Sequence, residues 1–396
     1  MTIKSTIASI TALIVERLLS FIGENFSNEV LSNIQLRSAS KRYNFKNFKI
    51  IPSRKTNVNS EDDAIISRIM CAYHKAKFAQ IEADPVYLPS SLWQKQLDDS
   101  YSSMKKSKEE VGYFLNNFGS WPKYTGIEHS TLIDDLSTSK MSRKRLNRMF
   151  SNLLEFWKLH EQQDRTLESI TYPQHGNQSG IEINGTFLGI GSVTNDLRAS
   201  GIINLLSGIN RPVISEIGGG YGKLFYFISK KIDNVCYLDF DLPETLSLAS
   251  YYLMKTFPNK KFLLFGEGDL SQDAIDEFDF ILMPSFCMEM LPANSVDISI
   301  NANSFGEMSS ETTKKFIHHI ERTTKDWFWH MNHEFIRNKF ENGTQSLINA
   351  EYKPSDKFKL ISRYMDIGHA IYQGGFDYKN DIYCYIYKRE SALTHA

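Results

Sequence analysis

The spacing of apolar residues divides the chain into a helical N-terminal part and a C-terminal part that alternates strands with helices. Up to about residue 170, apolar positions mostly recur at helical spacing, as in the stripe Ile65, Ile69, Tyr73 and Phe78, which is typical of an amphipathic helix. From residue 212 onward, short apolar runs alternate with longer amphipathic segments. Such alternation predicts an α/β fold with a mainly parallel sheet.

The strands of the C-terminal part can be assigned in order. The predicted core strands begin at Val213 and continue with VCYLDFD, FDFILMPSF, SVDISINANSF and DWFWHMNHEF. Two period-two runs, FKLISRYMDI and DIYCYIYKRE, flank Gly374 and Gly375 and predict a terminal antiparallel β-hairpin. We therefore expect a helical N-terminal region at 1–170, a gating loop and linker helix at 171–208, and an α/β ligand-binding domain at 209–390.

The first residues form the most apolar terminus. A stripe at helical spacing consists of Ile3, Ile7, Ile10, Ile14, Leu18 and Ile22. Glu16 and Arg17 interrupt the run too early for a spanning helix, so no transmembrane segment is expected. The stripe is expected to pack against the body of the protein or a sister subunit in a homo-oligomer, and peripheral membrane contact is the alternative.

Composition narrows the class of protein. The 396 residues are 41% hydrophobic and 23% charged, as in an ordinary soluble protein large enough for two domains. The formal net charge of −1 provides no global attraction to nucleic acid, so no nucleic-acid partner is expected. The four cysteines contain no C-x-x-C pair, which is typical of reduced thiols in the cytoplasm. We expect a cytoplasmic protein, with a peripheral position at the inner membrane face as the alternative.

The densest chemical signal is the segment EIGGGYG after the first core strand. Its glycines are Gly218, Gly219, Gly220 and Gly222. Glycine permits the tight turn and the close approach of a ligand to the backbone. A dinucleotide fingerprint needs Gly or Ala at position 223, where Lys223 stands, whereas the pattern acid-x-G-x-G-x-G starting at Glu216 is complete. The segment therefore favours a cofactor other than NAD, although an ordinary tight turn is the structural alternative.

Two acids follow about twenty residues later, at the end of the second core strand. They are Asp239 and Asp241. Open α/β sheets place a carboxylate here against the ribose of a nucleotide or nucleoside. Together with the glycine segment, these acids predict a nucleoside-containing ligand.

The acid and glycine spacing resembles the first motif of class I S-adenosylmethionine-dependent methyltransferases. With DLPETL, LPANSVDISINANSFGEM and YLPSSLWQ, the sequence resembles in particular the bacterial sugar O-methyltransferases of surface-polysaccharide clusters, over most of the chain. The family tends to have a Glu-Ile-Gly-Asn-Pro type loop where this chain has Glu182, Ile183, Asn184 and Gly185.

This resemblance implies a Rossmann-like class I methyltransferase sheet that ends in an antiparallel β-hairpin, preceded by an α-helical region. It implies S-adenosylmethionine as methyl donor, bound by residues 209–390, and O-methylation of a sugar or glycan hydroxyl in polysaccharide biosynthesis. The helices of residues 1–170 would then bind the acceptor or mediate oligomerisation.

The resemblance also implies cofactor-binding residues. Glu216 and the glycines would hold the methionine part, and Asp241 would bind the ribose hydroxyls, with Asp239 as the fallback. The loop after the third strand would bind adenine, and Phe286 would stack on it or else belong to the core. The complete set is Glu216, Gly218, Gly219, Gly220, Gly222, Asp241, Leu242, Ser285, Phe286 and Asn301.

Transfer to a hydroxyl calls for a base near the ends of the fourth and fifth strands. Glu307 is the first candidate, and its alternative role is that of an acid at a helix N-terminus. His330 and His333 are further candidates, but residues three apart on a strand face opposite sides, so a metal pair is not expected. The residues expected to contact the acceptor are Asn303, Ser304, His175, Glu182 and Arg198.

Three other functions compete with this interpretation. The enzyme could methylate another small hydroxylated acceptor, which a labelled-donor assay on pooled acceptors would reveal. A non-catalytic methyltransferase-fold scaffold subunit would show no turnover. An NAD-dependent dehydrogenase is disfavoured by Lys223 and by the terminal hairpin.

Overall fold

A computed structural model of the chain describes residues 48–120, 140–161, 166–373 and 381–390. The N-terminal isoleucine stripe and the Gly374–Gly375 loop lie outside these residues. The strands are β1 (Lys49–Ile51), β2 (Gly180–Ile183), β3 (Thr186–Gly189), β4 (Val213–Ile217), β5 (Cys236–Asp241), β6 (Phe262–Leu264), β7 (Phe280–Pro284), β8 (Val296–Ala302), β9 (Thr324–His333), β10 (Phe358–Met365) and β11 (Ile382–Arg389). The α-helices are α1 (Asp63–Ala79), α2 (Ser91–Ser100), α3 (Lys108–Asn116), α4 (Lys140–Glu161), α5 (Ser192–Leu205), α6 (Lys223–Ser229), α7 (Pro243–Thr256), α8 (Gln272–Glu277), α9 (Ser310–Thr323) and α10 (Ile367–Gln373).

The main sheet has eight strands in the order β10-β11-β9-β8-β4-β5-β7-β6. The strands from β9 to β6 are parallel, and β11 lies antiparallel between β9 and β10. This confirms the predicted Rossmann-like α/β sheet with an antiparallel C-terminal pair. The third, fourth and fifth predicted strands are β7, β8 and β9, and the segment KKFLLFGEGD contributes the edge strand β6. The terminal pair is not a simple hairpin, because α10 lies between its strands.

The central strands are buried because helices cover both faces of the sheet. Side chains alternate between two apolar clusters: Ile214 and Tyr237 belong to one and Val213 and Leu238 to the other. Every residue of β4 and β5 is buried. Burial of the polar residues in these strands therefore costs free energy unless they form hydrogen bonds or ion pairs, or serve a function.

The helical N-terminal part packs against the α/β domain through α1, which lies along α7. Lys77 forms an ion pair with the buried Glu244 at 3.2 Å. Ile69 and Tyr73 of the predicted stripe are buried in α1, whereas Phe78 is 73% exposed.

The segment before the α/β domain contains a sheet that was not predicted. Strands β2 and β3 form a hairpin, and β1 pairs antiparallel with β2. The turn consists of Asn184 (φ 53°) and Gly185 (φ 83°), which matches the Asn-Gly turn that the right-handed twist of hairpins favours. Among the helices of the described ranges, none is both long and apolar enough to cross a membrane.

Candidate active site

A cavity of about 890 Å³ opens above the carboxyl ends of the central strands. Strand β4 lies between β5 and β8. The chain adds its next strands on the β5 side of β4 and then returns to place β8 on the other side, so the order of the strands reverses at β4. Such switch points are where open α/β sheets bind ligands. The lining includes the glycine segment, the Pro85–Tyr87 turn, the start of α2 and the segment around Phe340.

The glycine segment forms the floor of the cavity in a conformation that requires glycine. Gly218, Gly220 and Gly222 have φ values of 73°, 64° and 85°, which side chains with a Cβ atom disfavour. A Cβ atom at Gly218 would lie 2.4 Å from Ser304 Oγ. Gly222 stands immediately before α6 and does not itself line the cavity.

Two aspartates hold this loop from below. Asp239 Oδ1 accepts a hydrogen bond from Gly219 N at 3.1 Å. Asp241 accepts hydrogen bonds from Gly220 N (3.2 Å) and Leu242 N (2.7 Å), one on each oxygen. Only Asp241 lines the cavity. Asp241 therefore has the position of a ligand-binding carboxylate, and Asp239 supports the loop.

Glu216 is the third acid, and it lies at the end of β4 with 2% exposure. Its Oε2 accepts a hydrogen bond from the Tyr237 hydroxyl at 2.6 Å. Burial raises the pKa of Glu216 to about 7. Burial likewise raises the pKa of Asp241 to about 7, although the amide hydrogen bonds oppose this. The cavity therefore contains two carboxyl groups that titrate near neutral pH.

The raised pKa of Glu216 has a consequence for stability. A carboxyl group whose pKa is higher in the folded state stabilises the fold below its unfolded pKa of about 4.3. That contribution is lost as the pH rises through about 7. Glu216→Gln should therefore nearly match the parent at pH 4, below that unfolded pKa, and have a higher Tm at pH 8, by several degrees. Thermal unfolding at both values checks this, with Glu82→Gln on the exposed surface as control; a lower Tm for Glu216→Gln at pH 8 would contradict it.

His333 and Asp381 form a pair at the rim of the cavity. The His333 Nδ1 and Asp381 Oδ2 atoms lie 2.7 Å apart. Asp381 is fixed in turn by Phe335 N at 2.6 Å and Ile336 N at 3.3 Å. Because the carboxylate takes Nδ1–H, the other ring nitrogen, Nε2, is the one that can accept a proton. His333 lines the cavity.

Glu307 also lines the cavity. Its Oε2 accepts a hydrogen bond from Trp93 Nε1 at 2.8 Å, and its backbone oxygen accepts one from Ser90 Oγ at 2.8 Å. Glu307 thus connects the end of β8 to the start of α2. The Glu307 carboxylate therefore both holds Trp93 and lines the cavity.

His330 lies in the core and not at the cavity. It is fully buried, its ring stacks on Tyr385 at 5.2 Å between centroids, and burial lowers its pKa to about 3. The strand pleat separates it from His333. Within the described ranges, no group of three or more His, Cys, Asp or Glu side chains is arranged to hold a metal ion.

Other predicted cofactor residues divide between the cavity and its support. Leu242 and Ser285 line the cavity. Phe286 does not, because its ring packs edge-on against Phe265 at 5.8 Å. Asn301 is buried, and its Nδ2 donates to Ile217 O at 2.9 Å, which joins the ends of β8 and β4.

The predicted acceptor residues divide in the same way. Asn303, Ser304 and Arg198 line the cavity, and Arg198 pairs with Asp366 at 3.1 Å. His175 instead packs edge-on against Tyr252, and Glu182 pairs with Lys49 on β1. Both stand away from the cavity because their segment folds into the small sheet and its flank.

Several lining residues had no place in the sequence-based prediction. They are Tyr87, Trp93, Lys223, Thr245 and Phe340. Thr245 carries the clearest signal, because its Oγ1 is buried and has no hydrogen-bond partner among the described residues. Such a group is suited to a ligand. In the sequence, Thr245 lies within the DLPETL segment that the resemblance used.

No family model matches the chain, and no curated protein matches it. Among solved structures, a SAM-dependent methyltransferase from Aquifex aeolicus is 14% identical with a TM-score of 0.29, over 48% of this chain and 88% of that one. The magnesium protoporphyrin IX methyltransferase ChlM from Synechocystis, solved with bound SAM, is 9% identical with a TM-score of 0.33, over 68% and 100%. The mitomycin 7-O-methyltransferase MmcR is 9% identical with a TM-score of 0.30, over 76% and 68%. These values are too low to assign an activity, which has to be argued from the site.

Proposed function

We propose that this protein is an S-adenosylmethionine-dependent O-methyltransferase that acts on a sugar hydroxyl in bacterial surface-polysaccharide biosynthesis. The observation that carries the proposal is the position of Asp241 and the His333–Asp381 pair on one cavity above a glycine floor. The first suits a nucleoside and the second suits removal of a proton. The sugar acceptor and the polysaccharide role rest on the sequence resemblance.

The residues at the floor fit the proposed donor. Each Asp241 oxygen accepts one backbone amide, and since a carboxylate oxygen has two lone pairs, both oxygens can still accept a ribose hydroxyl. Glu216, once ionised, places a negative charge where the positively charged methionine part would lie. Thr245 and Ser285 add polar groups on the nucleoside side.

Bound at this floor, S-adenosylmethionine supplies an activated methyl group to an acceptor oxygen. The chain's own task is to hold the acceptor hydroxyl in line and to take its proton. His333 takes that proton at Nε2, and Asp381 stabilises the resulting imidazolium through Nδ1–H. Asn303 and Ser304 also line the cavity, and they orient the acceptor.

Glu307 is retained as the alternative base because it lines the same cavity. His333 has the stronger case, since its ring is oriented by a carboxylate that is itself fixed by two backbone amides. Because Trp93 on α2 donates a hydrogen bond to the Glu307 carboxylate, Glu307 is better suited to hold α2 in position against the acceptor.

The acceptor half of the cavity suits a sugar. Tyr87, Trp93 and Phe340 provide aromatic surfaces, and Glu341 and Asn342 provide polar groups beside them. A sugar presents apolar C–H faces and hydroxyl edges, so both kinds of lining can be used. Since Tyr87 and Trp93 belong to the N-terminal part, we propose that this part binds the acceptor.

A thermal-shift measurement tests the donor assignment. S-adenosylmethionine and S-adenosylhomocysteine should raise the Tm by a few degrees, because a ligand at about 100 times its Kd stabilises the folded form by about 2.7 kcal/mol. NAD and NADH serve as matched nucleotide controls and should leave the Tm unchanged. Methyl-labelled donor with pooled monosaccharides and oligosaccharides then tests the acceptor class. A shift with NAD alone would overturn the proposal.

A further inference from the structure

Two buried asparagines lie at the carboxyl ends of β8 and β9. Asn301 and Asn332 are fully buried, and neither lines the cavity. Asn332 Nδ2 donates a hydrogen bond to Asn301 Oδ1 at 2.9 Å. Burial of an amide group costs free energy unless its hydrogen bonds are made. The groups that these two side chains bind therefore indicate what the pair does.

Asn301 connects the pair to the glycine floor. Its Nδ2 donates to Ile217 O, directly before the floor, at 2.9 Å and to Ser304 Oγ at 2.5 Å. Its Oδ1 accepts a hydrogen bond from Phe305 N at 3.3 Å in addition to the one from Asn332. An amide group has two donor and two acceptor positions, so all four positions of Asn301 are used. The Asn301 side chain is therefore fixed relative to the floor.

Asn332 connects the same pair to the proposed base. Its Oδ1 accepts a long hydrogen bond from Gly306 N at 3.4 Å, and the next residue along β9 is His333. A Cβ atom at Gly306 would lie 3.0 Å from His333 Cδ2, which is shorter than the optimal carbon–carbon contact of about 3.5–4.0 Å. Gly306 has no positive φ. The close approach of the His333 ring therefore explains the need for glycine here.

His333 is thereby held from two sides. Asp381 holds the ring at Nδ1, at 2.7 Å, and Gly306 lies against the ring at Cδ2. Because Nδ1 and Cδ2 are the two ring atoms bonded to Cγ, these contacts together determine how the ring is rotated. The rotation of the ring in turn determines the direction in which Nε2 points.

We propose that Gly306 and Asn332 are positioning residues for the base. Gly306 sets the rotation of the His333 ring, and Asn332 holds Gly306 in place relative to the glycine floor. This inference rests on the proposed function, in which His333 takes the proton of the acceptor. A displacement of about 1 Å can reduce the rate of such a reaction by about 100-fold. A fixed distance between the base and the floor therefore affects turnover more than it affects binding.

Gly306→Ala tests the contact with the ring. The added methyl group should displace His333 and reduce kcat by about 10- to 100-fold, while the Kd for S-adenosylhomocysteine changes by less than about two-fold. In the His333→Asn background, Gly306→Ala should reduce kcat further by less than about two-fold, because the base that it displaces is absent. NMR without ligand should show shifted His333 ring resonances in Gly306→Ala, with the assignment made from their loss in His333→Asn.

Gly268→Ala is the matched control. Gly268 also has no positive φ, and its Cβ atom would lie 3.3 Å from Leu263 Cδ1. Leu263 belongs to β6, at the sheet edge remote from β9. Gly268→Ala should therefore leave both kcat and the His333 resonances unchanged.

Asn332→Ser tests the link to the floor, and it decides the matter if thermal unfolding shows that Gly306→Ala does not fold. Serine lacks the amide that joins Gly306 to Asn301, so kcat should fall by roughly 10-fold with donor binding kept. This loss should also disappear in the His333→Asn background.

Several results would overturn the inference. They are an equal loss of kcat from Gly306→Ala with and without His333, a loss of donor affinity as large as the loss of kcat, and unchanged His333 resonances. If His333→Asn alone keeps full turnover, the inference fails while the donor assignment stands. A parent that binds S-adenosylhomocysteine but transfers no methyl group, or that binds no donor at all, overturns the proposed function and this inference with it.

Discussion

His333→Asn is expected to reduce kcat by roughly 10²- to 10⁴-fold, which is the contribution of a positioned general base. Asparagine retains an amide N–H near the Nδ1 position, so the Asp381 carboxylate keeps a hydrogen-bond donor while the proton acceptor at Nε2 is lost. Donor binding should change by less than about two-fold, because an interaction made only during reaction affects turnover and not ground-state binding. Initial rates with labelled donor and the acceptor pool measure the first quantity, and calorimetry with S-adenosylhomocysteine measures the second.

Two further variants make this result specific. Asp381→Asn should lose less activity than His333→Asn, because it removes the charge that stabilises the imidazolium but leaves the base in place. Glu307→Gln is the matched alternative. If Glu307→Gln loses turnover and His333→Asn does not, then Glu307 is the base.

The residues of the proposed donor side could be placed at one edge of the sheet from the sequence because their geometry is local. Four glycines in a short segment indicate a backbone conformation that side chains would obstruct. The structure shows the corresponding positive φ values at Gly218, Gly220 and Gly222. Asp241 ends the neighbouring parallel strand, and parallel strands bring their carboxyl ends to one edge. Spacing along the chain was sufficient for these residues.

The residues of the proposed acceptor side could not be brought together from the sequence because they meet only through tertiary pairing. His333 and Asp381 are 48 positions apart and come together because Ile382 pairs with His333 across β9 and β11. The period-two pattern predicted the last strand, but not its register against β9. Since register decides which side chains are neighbours, the His333–Asp381 pair could not be derived.

Side-chain direction explains the remaining differences. The sequence placed Phe286 and Asn301 correctly at the carboxyl ends of β7 and β8, but it could not show that both turn into supporting contacts. The missed hairpin β2–β3 did have a local signal. Asn184-Gly185 between apolar residues is a strong hairpin indicator, and it placed Glu182 on a strand away from the cavity.

Asp241→Asn is expected to weaken donor binding by about 10²-fold, the second large effect. Hydrogen bonds to a charged acceptor contribute about 1.5–3 kcal/mol each, and two ribose hydroxyls would lose part of theirs. The measurement belongs at pH 8, where the Asp241 carboxyl, with its pKa of about 7, is ionised. Asparagine keeps an oxygen for one of the two backbone amides, so the Gly220 turn loses less support than it would with alanine.

Asp239→Asn is the control for this variant, because Asp239 also accepts a glycine-loop amide but does not line the cavity. A disturbed loop would lower affinity in both variants to a similar extent, whereas loss of a ribose contact would lower it far more in Asp241→Asn. Methylthioadenosine, which keeps the ribose but lacks the amino acid, should show the same loss in Asp241→Asn. If Asp239→Asn instead has the larger effect for both ligands, then Asp239 binds the ribose hydroxyls and Asp241 only supports the glycine loop.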